Sequence, residues 1–568
     1  MSDTEYENAS QRSSFVGQVF DRGEKIVKKR ILDTLPKEWS DLHINGYLHL
    51  HDLEAYEITY NCLTFDIVKS FPFNKFEGIS SSRKIMKVFD FYKDIITKIG
   101  NEQSGGMSFA NFDTDTAFIL NKLNVDLSDY NRNILRDQIN GFITWCNDGH
   151  ERMGKVSYYV SLNIGLGLDV YSQTICEYVL DEFYNSPVTN IKPNIIFKLK
   201  GGINKNQNDV NYYLYEKAVN CTIKKMIPTY LLADCASNKL YDANKLAIMG
   251  CRTRVVDNVF GEPTAIGRGN IVYLSINLPK IALEIDREFK DRTIQFKLEE
   301  YYKLWKKIAI SASEILLHRF TNLTKLSKSN FPNNVNNNLW ITSFKEATSL
   351  DDVFKHGTLS IGFIGLSEMI EVLTGNKYYE SEENYQIAKD FVTFMRKFTD
   401  ELRLQHNKNF SLLATSGEFI SGRFPSIDSK EYSHPVTKKK FYTNSFHVNV
   451  DSNLSAFEKV KFEGYFHRLT NGGCITYIEL NSAPIGNSEA IIEVIRAAET
   501  AGVHYLGFNY PLDICNKCGE KGVFDFCEYC GSNDILRIRR VSGYLEILDY
   551  FTSGKKAEVK TRRPNQVK

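Results

Sequence analysis

The 568 residues carry 70 Lys and Arg against 69 Asp and Glu, a net charge of +1. No global field draws such a chain to a polyanion, so binding of long nucleic acid is not implied. A hydrophobic content of 42% with 24% charged residues is that of a soluble globular protein, and no apolar run reaches the ~18 residues that cross a bilayer. The start, Met1 to Glu7, is polar and acidic where a secretory signal is basic and then apolar, which places the chain in a cytoplasm, a host's if it is viral. Eleven cysteines in a long chain without a signal argue for reduced thiols with metal or catalytic roles, not a disulfide framework.

Residues 1 to about 40, with the cluster Lys25, Lys28, Lys29 and Arg30, read as a helical lead-in. His49, His51 and Asp52 follow. Alternation on a strand puts both imidazoles on one face, and two histidines with a carboxylate are good ligands. Nothing nearby in sequence completes such a site, so no metal is expected there. Cys62, in an apolar run, reads by itself as buried core. The Gly-rich turn Gln103 to Ser108 lacks the Lys-Ser/Thr of a P-loop. Val156 to Leu166 reads as a buried strand, and the strand and helix patterns that alternate from there favour an α/β fold.

Cys251, flanked by Gly250 and Arg252 and followed by the polar stretch Asp257 to Asn270, suits an exposed loop tip, where a reacting thiol is accessible. An amphipathic helix is predicted over 297 to 318, with Leu304, Ile308, Ala312 and Ile315 on one stripe. The Asn-rich stretch from Phe331 is a loop. Gly357 to Glu368, Tyr442 to Ser445 and Asn471 to Cys474 offer donors suited to triphosphate oxygens, and each is equally ordinary loop chemistry. Asn487 and Ser488 cap a helix that ends at Gly502 and hands over to a strand, Val503 to Tyr510.

Two Cys-x-x-Cys pairs, Cys515 with Cys518 and Cys527 with Cys530, have the spacing of a closed four-thiolate site. Zn²⁺ with a structural role is the expectation and an iron-sulfur cluster the competitor. Lys517, Lys521, Arg537 and Arg539 are available to offset the thiolate charge. Zinc ribbons also occur in nucleic-acid-binding proteins, but that reading explains only the ribbon and needs a basic face. The last residues, from Lys555 and Lys556 through Lys560, Arg562 and Arg563 to Lys568, read as a solvated, mobile tail.

Between these lies Arg539-Arg540-Val541-Ser542-Gly543-Tyr544-Leu545. Without a side chain, a glycine Cα can flatten into a planar radical stabilised between an amide nitrogen and a carbonyl. This segment resembles the radical-bearing loop of glycyl radical enzymes. With the four cysteines before it, and with Met249-Gly250-Cys251-Arg252 placed ahead of Gly267 to Pro279, the chain is similar to anaerobic (class III) ribonucleoside-triphosphate reductases from about residue 40 to 550.

The resemblance implies a ten-stranded α/β barrel of two antiparallel five-stranded halves around a central finger loop. A catalytic barrel would span 41–510, a four-cysteine zinc-binding module 511–535, and the glycyl radical loop with a basic tail 536–568. The lead-in, 1–40, leaves no room for the family's nucleotide-binding cone. The implied chemistry is anaerobic reduction of ribonucleoside triphosphates, with Gly543 as radical, Cys251 as thiyl and Cys62 as donor beside the substrate. A separate activase using S-adenosylmethionine and a [4Fe-4S] cluster would make the radical, since no Cys-x-x-x-Cys-x-x-Cys occurs here. No cysteine lies between Cys251 and Cys474, and Met249 matches formate users. Formate is therefore the expected reductant, with Asn270, or else Asn277, orienting it or the substrate, or capping a strand end. Homodimerisation and dNTP effector sites are further implications. Another glycyl radical enzyme, of the formate-lyase or dehydratase kind, is the competing reading. Formate-lyases carry adjacent active-site cysteines, and no Cys-Cys pair occurs here.

Overall fold

The computed structural model describes residue 7 and residues 14–148, 151–152, 154 and 156–567. The strands that position the site are β1 (Leu48–Leu50), β2 (Leu63–Phe65), β3 (Met107–Phe109), β4 (Val160–Ile164), β5 (Asn194–Leu199), β6 (Thr229–Leu232), β7 (Asn270–Asn277), β8 (Thr358–Ile364), β9 (Asn409–Ala414), β10 (Thr476–Glu479) and β11 (Tyr505–Asn509). One sheet has the order β1-β7-β8-β9 and the other β10-β11-β6-β5-β4-β3-β2.

Backbone hydrogen bonds join the two sheets at both ends. At one seam Asn61, Cys62 and Thr64 donate to the carbonyls of Ile271, Asn270 and Arg268, so β1 and β2 share one edge of β7. At the other, Gly472 donates to Leu412 O and Ala414 to Gly473 O, just ahead of β10. Among the described residues the ladder thus closes through ten strand positions, one of them shared by β1 and β2. Strands β2 to β6 are parallel to their neighbours, as are β7 to β9, and the two halves meet antiparallel at β6/β11 and at the β2/β7 seam.

The sequence accounts for both faces of this ring. In β3 and β4 Met107, Phe109, Val160, Leu162 and Ile164 alternate with Ser108, Ser161 and Asn163, and period two sends the two sets to opposite faces. The apolar set packs under the connecting helices, where each fully buried Leu or Ile contributes ~1.5–3 kcal/mol. The polar set is also buried and faces inward, where it must find partners.

The helix predicted over 297 to 318 runs from Ile294 to Thr324, started by Thr293, whose hydroxyl accepts from Phe296 N. The lead-in is helical over Phe15–Thr34 and Lys37–Ile44, and residues 1–6 and 8–13 lie outside the described residues. The Asn-rich stretch is not all loop: Pro332–Asn336 forms a short helix, with Asn334 buried and bonded to Glu102 and Trp340. Among the described residues no helix is long and apolar enough to cross a membrane.

Candidate active site

The segment carrying Cys251 is a tight hairpin closed by Met249 N to Thr253 O at 3.0 Å and Thr253 N to Met249 O at 3.1 Å, with Cys251 at its tip and Gly250 in the left-handed region at φ +60°. It is not at the surface. Met249 is 1% and Arg252 6% exposed, because the hairpin is threaded inside the ring and held by the inward polar residues. Asn163 Oδ1 accepts from Ile248 N at 3.0 Å, while its Nδ2 and the Ser108 hydroxyl donate to Ile248 O. Ser161 donates to Gly250 O at 3.3 Å. The glycine pair after β9 makes room on the far side: a Cβ on Gly473 would sit 2.1 Å from Arg252 O, and Gly472 O accepts from Arg254 N. Asn471 to Cys474 therefore serves close backbone approach, and Gly472 and Gly473 contact the hairpin.

Gly543 meets this tip. It lies in a turn closed by Val541 N to Tyr544 O at 3.1 Å, after strand β14 (Ile535–Arg540) of the small sheet formed with β12 (Leu512–Cys515), β13 (Lys521–Gly522) and β15 (Leu545–Ile547). A Cβ built on Gly543 would lie 1.5 Å from Cys251 O and 2.5 Å from Cys251 Cα, so only glycine seats there. Glu418 clamps both flanks: Ser542 Oγ donates to one carboxylate oxygen at 2.8 Å and Tyr544 Oη to the other at 2.9 Å. The Arg540 guanidinium donates to Gly543 O at 3.1 Å. At Cys251 itself, Arg252 Nη1 lies 3.1 Å and Ser416 Oγ 3.5 Å from the sulfur.

Cys62 lines the same cavity as Cys251, with Asn270, Tyr273 and Glu418. Its S–H donates to Asn61 Oδ1 at 2.5 Å, and Gly106 N donates to the sulfur at 3.3 Å. Burial pushes this thiol up to about 12, against the smaller opposing effect of the Gly106 hydrogen bond, so it stays protonated at neutral pH. The turn Gln103 to Ser108 packs against it: a Cβ on Gly105 would come 2.5 Å from Cys62 Sγ. Asp52, at φ +51°, accepts from Asn61 Nδ2 and Ser104 Oγ, both at 2.8 Å, and so fixes the Asn61 side chain.

Met249 packs with Cys62 and Val255. Asn270 Oδ1 accepts from Thr358 and Ser360, both at 3.0 Å, which fixes the amide at the cavity wall. Asn277 is elsewhere: its Oδ1 caps the helix Leu278–Glu288, and its Nδ2 bonds Gly46 O and Asp428. In Tyr442 to Ser445, the Thr443 amide and hydroxyl are both taken by Glu368 Oε1. Cys146, Cys176, Cys221 and Cys235 are buried core.

Two expectations change. His49 and His51 do find a completing group: Glu7 bridges them, at 2.7 Å from His49 Nε2 and 2.8 Å from His51 Nδ1. These are hydrogen-bond lengths, and the second nitrogen of His51 bonds Ser275 Oγ at 2.8 Å. The basic tail is also no solvated appendage. Lys555 is fully buried and pairs with Glu558 at 2.5 Å, and Glu558 also takes Arg562 at 2.8 Å. Arg562 reaches the Arg540 carbonyl, Thr552 donates to Glu418 O, and Ala456 N bonds Gln566 O. The helix Ser553–Val559 packs so closely that a Cβ on Gly554 would lie 2.6 Å from Gly422 Cα.

The four distal cysteines converge with their sulfurs all within 4.8 Å of one another. The Cys515–Cys530 and Cys518–Cys527 separations are both 3.5 Å, near the ~3.8 Å edge of a tetrahedral zinc-thiolate site, so the residues fit the ion. Of the cations expected to offset them, Arg539 pairs with Asp513 and Arg537 bonds Asp525 O.

Although Arg540 stands in the segment that carries Gly543, the sequence assigned no role to Glu418, Arg540, Ser108 or Asn163. For the last two, the alternation of polar with apolar residues in β3 and β4 was the available signal.

A glycine seated against a cysteine at the tip of a hairpin threaded through a ring of strands is the arrangement of a glycyl radical enzyme. The chain belongs to the anaerobic ribonucleoside-triphosphate reductase family, whose model matches residues 7–564. It is 28% identical to the anaerobic ribonucleoside-triphosphate reductase of Escherichia coli over 98% of this chain and 82% of that one. It is 26% identical to that of enterobacteria phage T4 over 99% and 97%. Among solved structures, the anaerobic ribonucleotide reductase of Thermotoga maritima in complex with dATP and CTP shares the fold at a TM-score of 0.71, with 14% identity, over 97% of this chain and 92% of that one.

Proposed function

We propose that the chain reduces ribonucleoside triphosphates to deoxyribonucleoside triphosphates with formate, with Gly543 as the radical store and Cys251 as the thiol it opens. The observation that carries this reading is the seating of Gly543 against the Cys251 backbone, where no other residue fits. The Gly543 radical takes the hydrogen atom of Cys251 S–H, and the thiyl then takes the 3′-hydrogen of the ribose. Cys62, held protonated by burial, donates on the 2′ side as the hydroxyl leaves as water. The balance is one nucleotide, one formate and one proton giving one deoxynucleotide, one carbon dioxide and one water.

Formate is favoured over a dithiol reductant because, among the described residues, Cys62 and Cys251 are the only thiols lining the cavity. Asn270 and Met249 are the groups proposed to orient formate or substrate. Cys515, Cys518, Cys527 and Cys530 would hold a Zn²⁺ ion that ties β12 to the segment before β14. The division into lead-in, catalytic ring, zinc module and glycyl radical segment with its tail follows the same reading. The partners are a radical S-adenosylmethionine activase, dNTP effectors and a second copy of the chain. A dATP bound in the specificity site and a CTP, each named for the Thermotoga maritima enzyme, support nucleotide effectors and substrates.

The test supplies carbon-14 formate to activated enzyme and counts labelled carbon dioxide against deoxynucleotide. One-to-one release supports the reading. Full activity with a reduced redoxin and no formate rules out formate as the reductant.

A further inference from the structure

Arg540 is 2% exposed, and no carboxylate among the described residues pairs with its guanidinium. Its donors go to three carbonyls: Phe508 O at 3.1 Å, Met226 O at 2.5 Å and Gly543 O at 3.1 Å. Burying a cation whose hydrogen bonds all go to neutral carbonyls is costly, and Glu479 offsets that cost only from beyond ion-pair distance. Arg268 shows what a purely architectural case looks like in the same molecule. It is equally buried, and it ties together the carbonyls of His356, Val256, Thr264 and Asp257, none of them at the Gly543–Cys251 junction. Arg540 differs in that one of its carbonyls belongs to Gly543.

A radical on a glycine Cα is shared between the amide nitrogen, which releases electron density, and the carbonyl, which accepts it. A cation hydrogen-bonded to the carbonyl oxygen strengthens the accepting half, and does so more in the radical than in the closed-shell residue, because the radical places more charge on that oxygen. Charge-assisted hydrogen bonds are about twice as strong as neutral ones, and a fixed cation in a water-excluded site needs no reorganisation to act.

We propose that Arg540 stabilises the glycyl radical through the Gly543 carbonyl and thereby sets how readily Gly543 exchanges a hydrogen atom with Cys251. The proposal rests on the assignment of the radical to Gly543. The step it governs is balanced: Gly543 Cα• and Cys251 S–H give Gly543 Cα–H and Cys251 S•. A firmer hold on the Gly543 carbonyl favours the stored radical over the thiyl, so Arg540 prolongs storage at the expense of the forward step.

The test activates full-length wild type, Arg540→Gln and Arg540→Lys anaerobically with S-adenosylmethionine and the activase. Zinc content and circular dichroism serve as folding checks. Wild type is also prepared with ¹⁵N-guanidinium arginine and with ¹³C-carbonyl glycine. The expected result is an electron-nuclear double resonance coupling between the radical and a guanidinium nitrogen or its exchangeable proton. Arg540→Gln should show a wider α-hydrogen splitting, a smaller carbonyl ¹³C coupling and roughly tenfold faster anaerobic loss of the radical. Arg540→Lys should fall between. Absence of any guanidinium coupling in wild type overturns the proposal even if Arg540→Gln takes up no radical, and so do wild-type couplings and lifetime in Arg540→Gln. A wild-type doublet that ignores α-deuterated glycine has a different meaning: the Gly543 assignment itself fails, and the proposal with it.

Discussion

The four-cysteine module and the Gly543–Cys251 junction are held by opposite means. The module is local, its four ligands falling within one short stretch of chain, with Cys518 exposed and Cys530 half-buried. Its spacing alone specifies it, because a tetrahedral thiolate site needs little beyond four sulfurs in reach. The junction joins residues separated by about half the chain and is specified by contacts that no window of sequence contains. These are a glycine with no room for a Cβ, a carboxylate from the stretch after β9 gripping both its flanks, and a C-terminal tail folded over it. One region depends on a ligand set and the other on the whole ring, so they should fail separately.

The largest expected effect is at the junction. Gly543→Ala places a methyl where Cys251 O lies 1.5 Å away, so the turn cannot seat, and both radical and turnover should vanish while the module keeps its zinc. Metal analysis beside electron paramagnetic resonance checks this. Loss of zinc together with the radical would mean that the two regions are not independent.

Glu418→Ala comes next. It removes the acceptor of both Ser542 and Tyr544, and hydrogen bonds to a charged group are worth ~1.5–3 kcal/mol each. Radical yield per activase should fall tenfold or more, with faster hydrogen exchange over 541–545. Unchanged exchange there would show that the clamp is dispensable.

The tail offers a milder, pH-dependent break. Burial alone would raise the Glu558 pKa, but Lys555 and Arg562 outweigh it and hold it down at about 2. A depressed carboxyl contributes stability above its unfolded pKa and loses it as pH falls toward the folded one. Tail anchorage should thus be constant from pH 7 to about 5 and decline between roughly pH 4.5 and 2. Glu558→Ala should release it at neutral pH, since breaking a buried pair costs ~3–5 kcal/mol. Trypsin cleavage near Lys560 and Arg562 reads the variant at pH 7, and hydrogen exchange over 553–563 reads the wild type across the pH range. A wild-type tail that frees itself between pH 7 and 5 would contradict the pairing.

The smallest effect on the ring is expected from the module. Cys518→Ser should lower zinc content and loosen 512–535, with the thermal unfolding of the ring shifting little. Stoichiometric iron with a visible charge-transfer band in anaerobically prepared protein would replace zinc by a cluster.

The same contrast explains what could be read beforehand. The cysteine pairs, the helix around 297 to 318 and the cap at Asn487 are local patterns, and they were legible. Gly543, Cys251 and Cys62 were singled out through resemblance and the structure brings them together, although Cys251 looked exposed because a polar, Gly-rich flank reads the same whether it meets water or the inward polar face of a ring. The tail misled for a related reason. Lys555 and Arg562 look solvated unless Glu558, and for Arg562 also Glu479 at 3.7 Å, are known to face them, and such pairing is a tertiary fact. For Asn277 the capping alternative is the one the structure shows, and it was legible, since Asn followed by Leu278-Pro279 is a helix-start signature.

The central claim, that Gly543 stores the radical and Cys251 spends it, is tested most directly by measuring resonance and product on the same activated samples. Wild type grown on ordinary glycine should give a doublet that collapses with α-deuterated glycine, and should make deoxynucleotide. Cys251→Ser should keep the doublet and make none, because an alcohol O–H is too strong for a glycyl radical to open. Deoxynucleotide formed by Cys251→Ser, or a doublet that survives in Gly543→Ala, would contradict the account.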